Sequence, residues 1–336
     1  ESDCFTYSCF NLSTIIKQAR ISECYPEWVF HLRTWIYRYM PRKLHASIFG
    51  LSTWRLSKWI FHTLTKMRRK YAKTVLVNDQ AAQYYTRKII HDNCPKFVYK
   101  VRHIEDPFGV ESKNINKNVI TIDSTYQFVQ SVQTSHFIRK HTTNMHKHTT
   151  LLKIHIWCCA NGQPIYAQYI YGDGYHADGK AFASAMCRDH LQQCKQAIID
   201  FDKDPSDANK ARLAKCSFTN LKLISEIENL QELIDILDDI ICDNGYKLRD
   251  KHPGLKMPAE QPLKSDEGGQ TTCAAAAHKR GIMCVRNTHE RTNGYVKRHK
   301  FCRVEIHTMD MRHVPAVWDI CLADMIHENI VLAKDN

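Results

Sequence analysis

Apolar residues change their spacing near residue 118. Before that point they recur at helical intervals: Leu44, Ile48 and Phe49 on one short segment, then Leu56, Trp59, Ile60 and Leu64 on the next. Gly50 suits the tight turn between the two segments, and Ser52 suits the cap of the second. Pro26 in a first turn and Pro41 at a stop frame an earlier helix, Pro26–Met40. Asp79 is placed to cap a further helix through Ile90, followed by a polar loop over Asp106–Lys117.

From Val119 the texture becomes that of strands. "VITID" is one, "TLLKIHIWCCA" a second and "QPIYAQYIYG" a third, the last two joined as a hairpin at Asn161-Gly162. Helical spacing returns over Lys180–Ala197, and residues 198–235 are acidic and helical in texture, with "DKDPSDANK" as a loop. "DDIICDNGY" gives a short apolar strand ending at Asp243, residues 252–272 form a Pro/Gly/Ser-rich loop, and helices follow over Ala274–Lys300 and Ala316–Val331. This order predicts an α/β fold: a ribonuclease-H-like mixed sheet flanked by helices, preceded by a small all-α helix-turn-helix domain. The expected division is 1–27 as an N-terminal extension, 28–78 as the helix-turn-helix domain, 79–118 as a connecting helix and loop, and 119–332 as the sheet-bearing domain.

Charge sharpens the picture. The 336 residues carry 47 Lys or Arg against 35 Asp or Glu, a formal net charge of +12 that favours a polyanionic partner. Residues 28–78 hold no acid at all, and eleven bases: Arg33, Arg38, Arg42, Lys43, Arg55, Lys58, Lys66, Arg68, Arg69, Lys70 and Lys73. A helix-turn-helix enters the DNA major groove by the N-terminal residues of its second helix. Here those are Thr53, Trp54, Arg55, Ser57 and Lys58, with Arg42 and Lys43 at the start of the first. The pattern also fits a plain helical hairpin; the acid-free setting favours DNA contact. No apolar run is long enough to span a bilayer and no secretory leader pattern opens the sequence, so an intracellular, membrane-free protein is expected. The fourteen cysteines are scattered without a CxxC pair; Cys273, His278, Cys284 and His289 form a cluster, but its spacing matches no zinc module.

In a ribonuclease-H-like sheet the first and fourth strands lie side by side, which brings Asp123 and Asp243 to neighbouring positions, and a following helix offers Glu290. Three such acids repel one another unless divalent cations sit between them. Magnesium or manganese fits: two ions about 4 Å apart activate an attacking oxygen and stabilise a leaving one in phosphodiester displacement. Each acid alone has a plainer reading. Asp123 and Asp243 both precede turn-forming residues, and Glu290 could pair with an arginine on an exposed helix face.

Several blocks carry a resemblance. "IDSTYQFVQSVQTSHFIRKHTTNMHKHTTLLKIHIWCCANGQPI", "YGDGYHADGK", "DIICDNGYKLRD", "LKMPAEQP" and "HERTNGYVKRHK" are similar to the core blocks of the DDE transposases of the PIF/Harbinger group. The resemblance covers most of 119–332, and the helix-turn-helix fits the usual companion domain. It implies that Asp123, Asp243 and Glu290 are the catalytic, metal-holding triad, and the 46 residues from 244 to 289 fit the group's spacing. His146 and Lys147 match its basic "HK" block; Asn293, Gly294, Lys297 and Arg298 match its "NG..KR" block. By this resemblance the partners are double-stranded DNA at transposon ends and target, with a homo-oligomer or a separate DNA-binding protein as companions, in the nucleus. Lys297, seven residues after Glu290, shares its helical face, where it suits a phosphate contact or a plain solvated helix end.

The sequence also departs from the group. Ser124 stands where Asp-Gly-Thr would place glycine, no aspartate occurs at Phe182 or Ala183, and the segment before Asp243 is longer. Asp173 or Asp178 offers a substitute acid, although a structural role fits both. Two functions follow as expectations: a metal-dependent DNA endonuclease and strand-transferase, or a catalytically decayed or domesticated DNA-binding derivative. An RNA-directed nuclease of the same sheet type is a third reading, which the helix-turn-helix disfavours.

Overall fold

In the computed structural model, residues 11–79, 84–95, 98, 118–131, 139, 142–144, 149–171, 184–218, 220–234, 238–242 and 273–328 are described. The first helix, α1 (Leu12–Ser22), starts where Asn11 accepts the Ser13 amide at 3.0 Å. α2 (Pro26–Arg38) begins on its proline and ends at Tyr39, whose φ of 40° turns the chain into Pro41. α3 (Arg42–Ile48) and α4 (Thr53–Met67) follow, with Gly50 at φ +64° between them and the Ser52 hydroxyl accepting the Arg55 amide at 3.2 Å. One π-helical turn, Arg68–Ala72, extends α4.

Of the expected inner face of α4, Leu56, Ile60 and Leu64 are buried, joined by Thr63 and Met67, whereas Trp59 is only half-buried. On α3 the expectation fails. Leu44 and Ile48 are 53% and 42% exposed, and His45 and Ala46 are buried instead. A seven-residue helix presents only a narrow inner stripe, and ring packing claims it: the His45 Nε2 lies 3.3 Å from His31 Nδ1, and its ring packs against Phe49. The helix expected from Asp79 begins later, as α5 (Arg87–Asp92), capped by Thr86; Asp79 pairs with Lys222 at 3.5 Å.

The sheet contains β1 (Val119–Phe128), β2 (Thr143–Asn144), β3 (Thr149–Cys159), β4 (Pro164–Tyr171) and β5 (Asp239–Ile241). Its main strands run in the order β4-β3-β1-β5, and β2 adds a two-residue rung to the start of β3. β1, β3 and β4 pair antiparallel, and β5 is parallel to β1. The β3–β4 hairpin turns at Gly162, φ 89°, with the Asn161 carboxamide accepting the Gln163 amide at 3.0 Å. The chain is thus a mixed α/β protein, with its fourth long-range strand added beside the first as the sequence order predicts. Asp123 is not the end of its strand, however. Pairing with β3 carries β1 on to Phe128, whereas the parallel partner stops at the Thr121–Ile241 pair.

Helices α6 (Arg188–Lys203), α7 (Asp207–Leu213) and α8 (Leu221–Leu233) separate β4 from β5. After β5 come α9 (Cys273–Val296), α10 (Lys300–Arg303), a 3-10 turn over Thr308–His313 and α11 (Val314–His327). The long helix expected over Ala274–Lys300 therefore breaks at Val296. α11 is buried nearly all round, as a helix apolar on every face but for two acids must be. One continuous core joins Ile15, Trp35 and Leu64 of the N-terminal helices to Ile122 and Trp157 of the sheet and Trp318 of α11. The boundary expected between residues 78 and 119 is crossed by this core.

α11 carries two acids into that core, and both meet cations from the acid-free segment. Arg33 grips Asp324 with two guanidinium nitrogens at 2.7 and 2.6 Å, and Tyr71 donates to the same carboxylate at 2.8 Å. Asp319 accepts from Arg68 at 2.8 Å and from the Tyr169 hydroxyl at 2.6 Å. Removing one partner of a buried pair strands the other charge. Asp324→Ala should therefore cost about 3–5 kcal/mol in urea unfolding, and the double apolar variant Arg33→Met/Asp324→Leu should recover most of that loss. A cost under about 1 kcal/mol for Asp324→Ala would show that the pair does not hold α11 in place.

Candidate metal and nucleic-acid site

α9 lies on the sheet face that carries Thr121 and Asp123, two positions of β1 that point the same way. His289 Nδ1 is 3.0 Å from Thr121 Oγ1, and Asn293 Nδ2 donates to Asp123 Oδ2 at 3.4 Å. Two strand residues advance about 7 Å and four helical residues about 6 Å, so the two contacts keep step only if helix and strand run in the same direction. Thr288 and Thr292, on the same helix, donate to the carbonyls of Ala160 and Gly162 at 3.0 and 2.7 Å. Four side chains thus fix both the rotation and the height of α9 over β1 and the hairpin turn.

Asp123 is half-buried, and its Oδ1 accepts the Ser124 amide at 2.8 Å. Lys297 follows one turn after Asn293. Burial lowers the pKa of its ammonium, an effect that Asp123 opposes through its charge. Glu290 sits one turn before Asn293 and about 60° around the helix from it. Its side chain is 60% exposed and pairs loosely with Arg286 at 3.7 Å. The structure therefore places Asp123, Asn293 and Lys297 together, with Glu290 on an adjoining part of the same helix rather than against Asp123. Asp243, His146, Lys147, Asp173 and Asp178 lie outside the described residues, as do Phe182 and Ala183.

The described groups around Asp123 are nitrogens: the Ser124 amide on Oδ1, the Asn293 NH₂ on Oδ2, and the Lys297 ammonium within reach of its charge. The Asn293 Oδ1 is buried and accepts no hydrogen bond. A carboxylate and an amide oxygen are ligand types that a hard cation such as magnesium or manganese takes, but a single described acid beside a lysine does not by itself make a cation site. Among the described residues no three His, Cys, Asp or Glu side chains form a metal group. For the cysteine–histidine cluster, His289 is committed to Thr121, Cys284 is exposed, and the side chains of Cys273 and His278 are outside the description.

A second surface lies on α3 and α4. Thr53, Trp54, Arg55 and Lys58 are exposed, Ser57 is half-buried, and Lys43 faces solvent. Trp54 is 72% exposed, with the Lys58 ammonium 5.1 Å from its ring centre. The Arg55 guanidinium lies 5.5 Å over Trp59, which stacks on Trp28 at 5.7 Å. Arg42 corrects the expectation: it pairs with Asp310 at 3.0 Å and covers Phe61, so it anchors α3 instead of offering a free charge. Arg298 is exposed beside Tyr295. Sequence reasoning missed Trp28 and gave Asn293 no role of its own. The helical spacing of Asn293 from His289 was the available sign.

No protein-family model, curated protein or solved structure matches this chain. Among the described residues no helix is long and apolar enough to cross a membrane.

The buried imidazoles make a pH test. Burial pushes His289 down to about 3, with the Arg286 charge adding to it, and burial beside His31 pushes His45 down to about 4. At pH 5 both are neutral when folded, whereas both ionise near pH 6.5 when unfolded. The unfolded chain binds more protons across this window, so stability falls as pH drops from 6.5 towards 4. Each ring should remove about 2 kcal/mol by pH 5, read as a falling urea midpoint. His299 is lowered by burial but raised more by Cys321 and Asp324, to about 9; the stability it adds is already complete below pH 6.5. His45→Gln should flatten the profile by its share. An unchanged midpoint between pH 6.5 and 5 would contradict neutral buried rings.

Proposed function

We propose that this protein is a metal-dependent DNA endonuclease of the DDE transposase type on a ribonuclease-H-like fold. Asp123, Asp243 and Glu290 are its carboxylates, and the α3–α4 hairpin is its DNA-binding surface. The observation that carries the reading is the place of Asp123. It lies two residues beyond Thr121, and Asp243 follows Thr121's parallel partner Ile241 by the same two residues. The helix bearing Glu290 and Lys297 is pinned over Asp123 by Asn293.

When bound, divalent magnesium or manganese supplies Lewis-acid stabilisation of a phosphodiester under attack. Around it the protein's own groups divide the work. Asp123 and Asp243 would hold the cation from the sheet, and Glu290 would complete the set from α9. Glu290 is released from Arg286 at little cost, since exposed ion pairs of this kind contribute about 0–1 kcal/mol. Lys297 offers its ammonium to the scissile phosphate, and Arg298 offers a second cation beside it. Lys43, Arg55 and Lys58 supply phosphate contacts on the duplex, with Trp54 between them. His146 and Lys147 belong to the same expected DNA path. Action in the nucleus, as a homo-oligomer or with a separate DNA-binding partner, goes with this reading.

The decayed, binding-only alternative is favoured by one observation: Glu290 pairs with Arg286 rather than turning to Asp123. Nicking of a labelled duplex separates the two. Wild-type protein should nick in magnesium or manganese. Asp123→Ala, Asp243→Ala and Glu290→Ala should each reduce nicking by at least about 10³-fold while circular dichroism is unchanged. Undiminished cleavage by all three variants would end the triad assignment; duplex binding in chelator with no nicking in metal would establish the binding-only reading. For the DNA surface, Arg55→Ala/Lys58→Ala should lower the slope of log affinity against log salt by about 1.8, near 0.9 per lost phosphate contact. An unchanged slope would remove α4 from the interface.

A further inference from the structure

The rings of α2 and α4 form a path across the surface, and cations are interleaved with them. Tyr25 meets Trp28 edge-on at 5.0 Å, Trp28 stacks on Trp59 at 5.7 Å, and the exposed His62 ring meets Trp28 at 5.6 Å. At about 100° per residue, Arg55 and Lys58 lie between Trp54 and Trp59 around α4. Lys58 covers the Trp54 ring at 5.1 Å and Arg55 the Trp59 ring at 5.5 Å. We propose that this path binds single-stranded DNA, with Trp54 and Tyr25 stacking on unpaired bases and Arg55 and Lys58 meeting the phosphates between them. The choice of a deoxy strand rests on the DNA reading above; the stacking itself requires neither a metal nor cleavage.

Packing explains only the middle of the path. Trp28 and Trp59 are half-buried, and their stack holds α2 on α4. The ends differ: Trp54 is 72% exposed and Tyr25 67%. Tyr25 occupies the N-cap of α2, where a Ser, Thr, Asp or Asn side chain would accept from a first-turn amide, and it makes no such bond. Local helix stability therefore gives no reason for a tyrosine there. The nearby acids leave the cations open. Glu23 pairs with Lys70, and Glu27 lies 4.0 Å from the His31 ring. Flat rings interleaved with cations complement bases strung on phosphates. In a duplex each base face is already covered by its neighbours, so only an unpaired strand offers both. A protein partner fits less well, because lysine is depleted at the centre of protein interfaces and here it sits on the exposed tryptophan. Arg55 and Lys58 are shared with the duplex surface, so duplex and single strand should compete.

A labelled oligothymidylate is the probe, bound to the full chain in chelator and read by fluorescence anisotropy. Wild type should bind it at least about tenfold more tightly than an abasic strand of the same length and charge, since each stacked base contributes about fivefold or more. Trp54→Leu keeps apolar area but no flat face and should lose about fivefold, as should Tyr25→Leu, whereas Trp54→Phe should stay within about twofold of wild type. Both positions are exposed, and unchanged thermal unfolding checks the fold. The proposal fails if the abasic strand binds as tightly as thymidylate, or if both leucine variants bind it like wild type. An oligouridylate bound about tenfold more tightly would assign the path to RNA instead. Loss of self-association in Trp54→Leu, with thymidylate binding unchanged, would make the path a contact between copies. A duplex arm separates this inference from the reading it rests on. Duplex bound and thymidylate ignored leaves that reading and removes this one; thymidylate bound and duplex ignored does the reverse; neither bound removes both.

Discussion

The buried Arg33–Asp324 pair determines how the two ends of the chain relate. A guanidinium and a carboxylate at 2.6–2.7 Å, both almost wholly removed from water, tolerate burial only together. Tyr71 and Gln18 complete the carboxylate's hydrogen bonds, so four residues from four elements must assemble at once. Asp319 repeats the arrangement a turn and a half earlier with Arg68, Lys73 and Tyr169. Apolar packing alone would let α11 rotate or slide among similar faces. Two charged fixtures on an otherwise apolar helix give it one register between the N-terminal helices and the sheet.

That register has consequences for the site. α11 packs against β4 and the turn after α4, and α10 joins it to α9. The helix over Asp123 is therefore held at its C-terminal end by the same core that holds the basic hairpin. The cation-bearing surface of α4 and the carboxylate of β1 belong to a single packed body. A hairpin tethered by a loose linker would leave its distance from Asp123 undefined; a shared core fixes it.

Much of this was legible in order and period. The Asn161-Gly162 hairpin, the parallel strand beside β1 and the Leu56–Ile60–Leu64 face all follow from spacing. What was not legible depended on distant partners. Leu44 and Ile48 have the right interval for a core, but in a helix of seven residues His45 wins the inner position by ring packing. Asp123 looked like a strand end because a turn-forming residue follows it; cross-strand pairing with β3 overrides that local preference. Arg42 looked like a DNA contact because no acid lies near it in sequence, whereas its acid is Asp310.

The same lesson recasts the acid-free segment. Segregated positive charge suggests a nucleic-acid surface, yet Arg33, Arg42, Arg68 and Lys73 are matched by Asp324, Asp310, Asp319 and Glu226, and Lys70 by Glu23. Charges were separated along the chain because their partners were separated too. Among the remaining cations, Arg55 and Lys58 stand in the first two turns of α4, Lys58 over the exposed Trp54, and Lys43 is exposed at the start of α3. An aromatic ring left in water beside the Lys58 ammonium gains little for folding, since its apolar area is not buried. Against a stack of bases flanked by phosphates, both the ring and the charges find use. For the proposed DNA contact, net charge is thus a weaker argument than position: a small group of bases that the fold has not already spent.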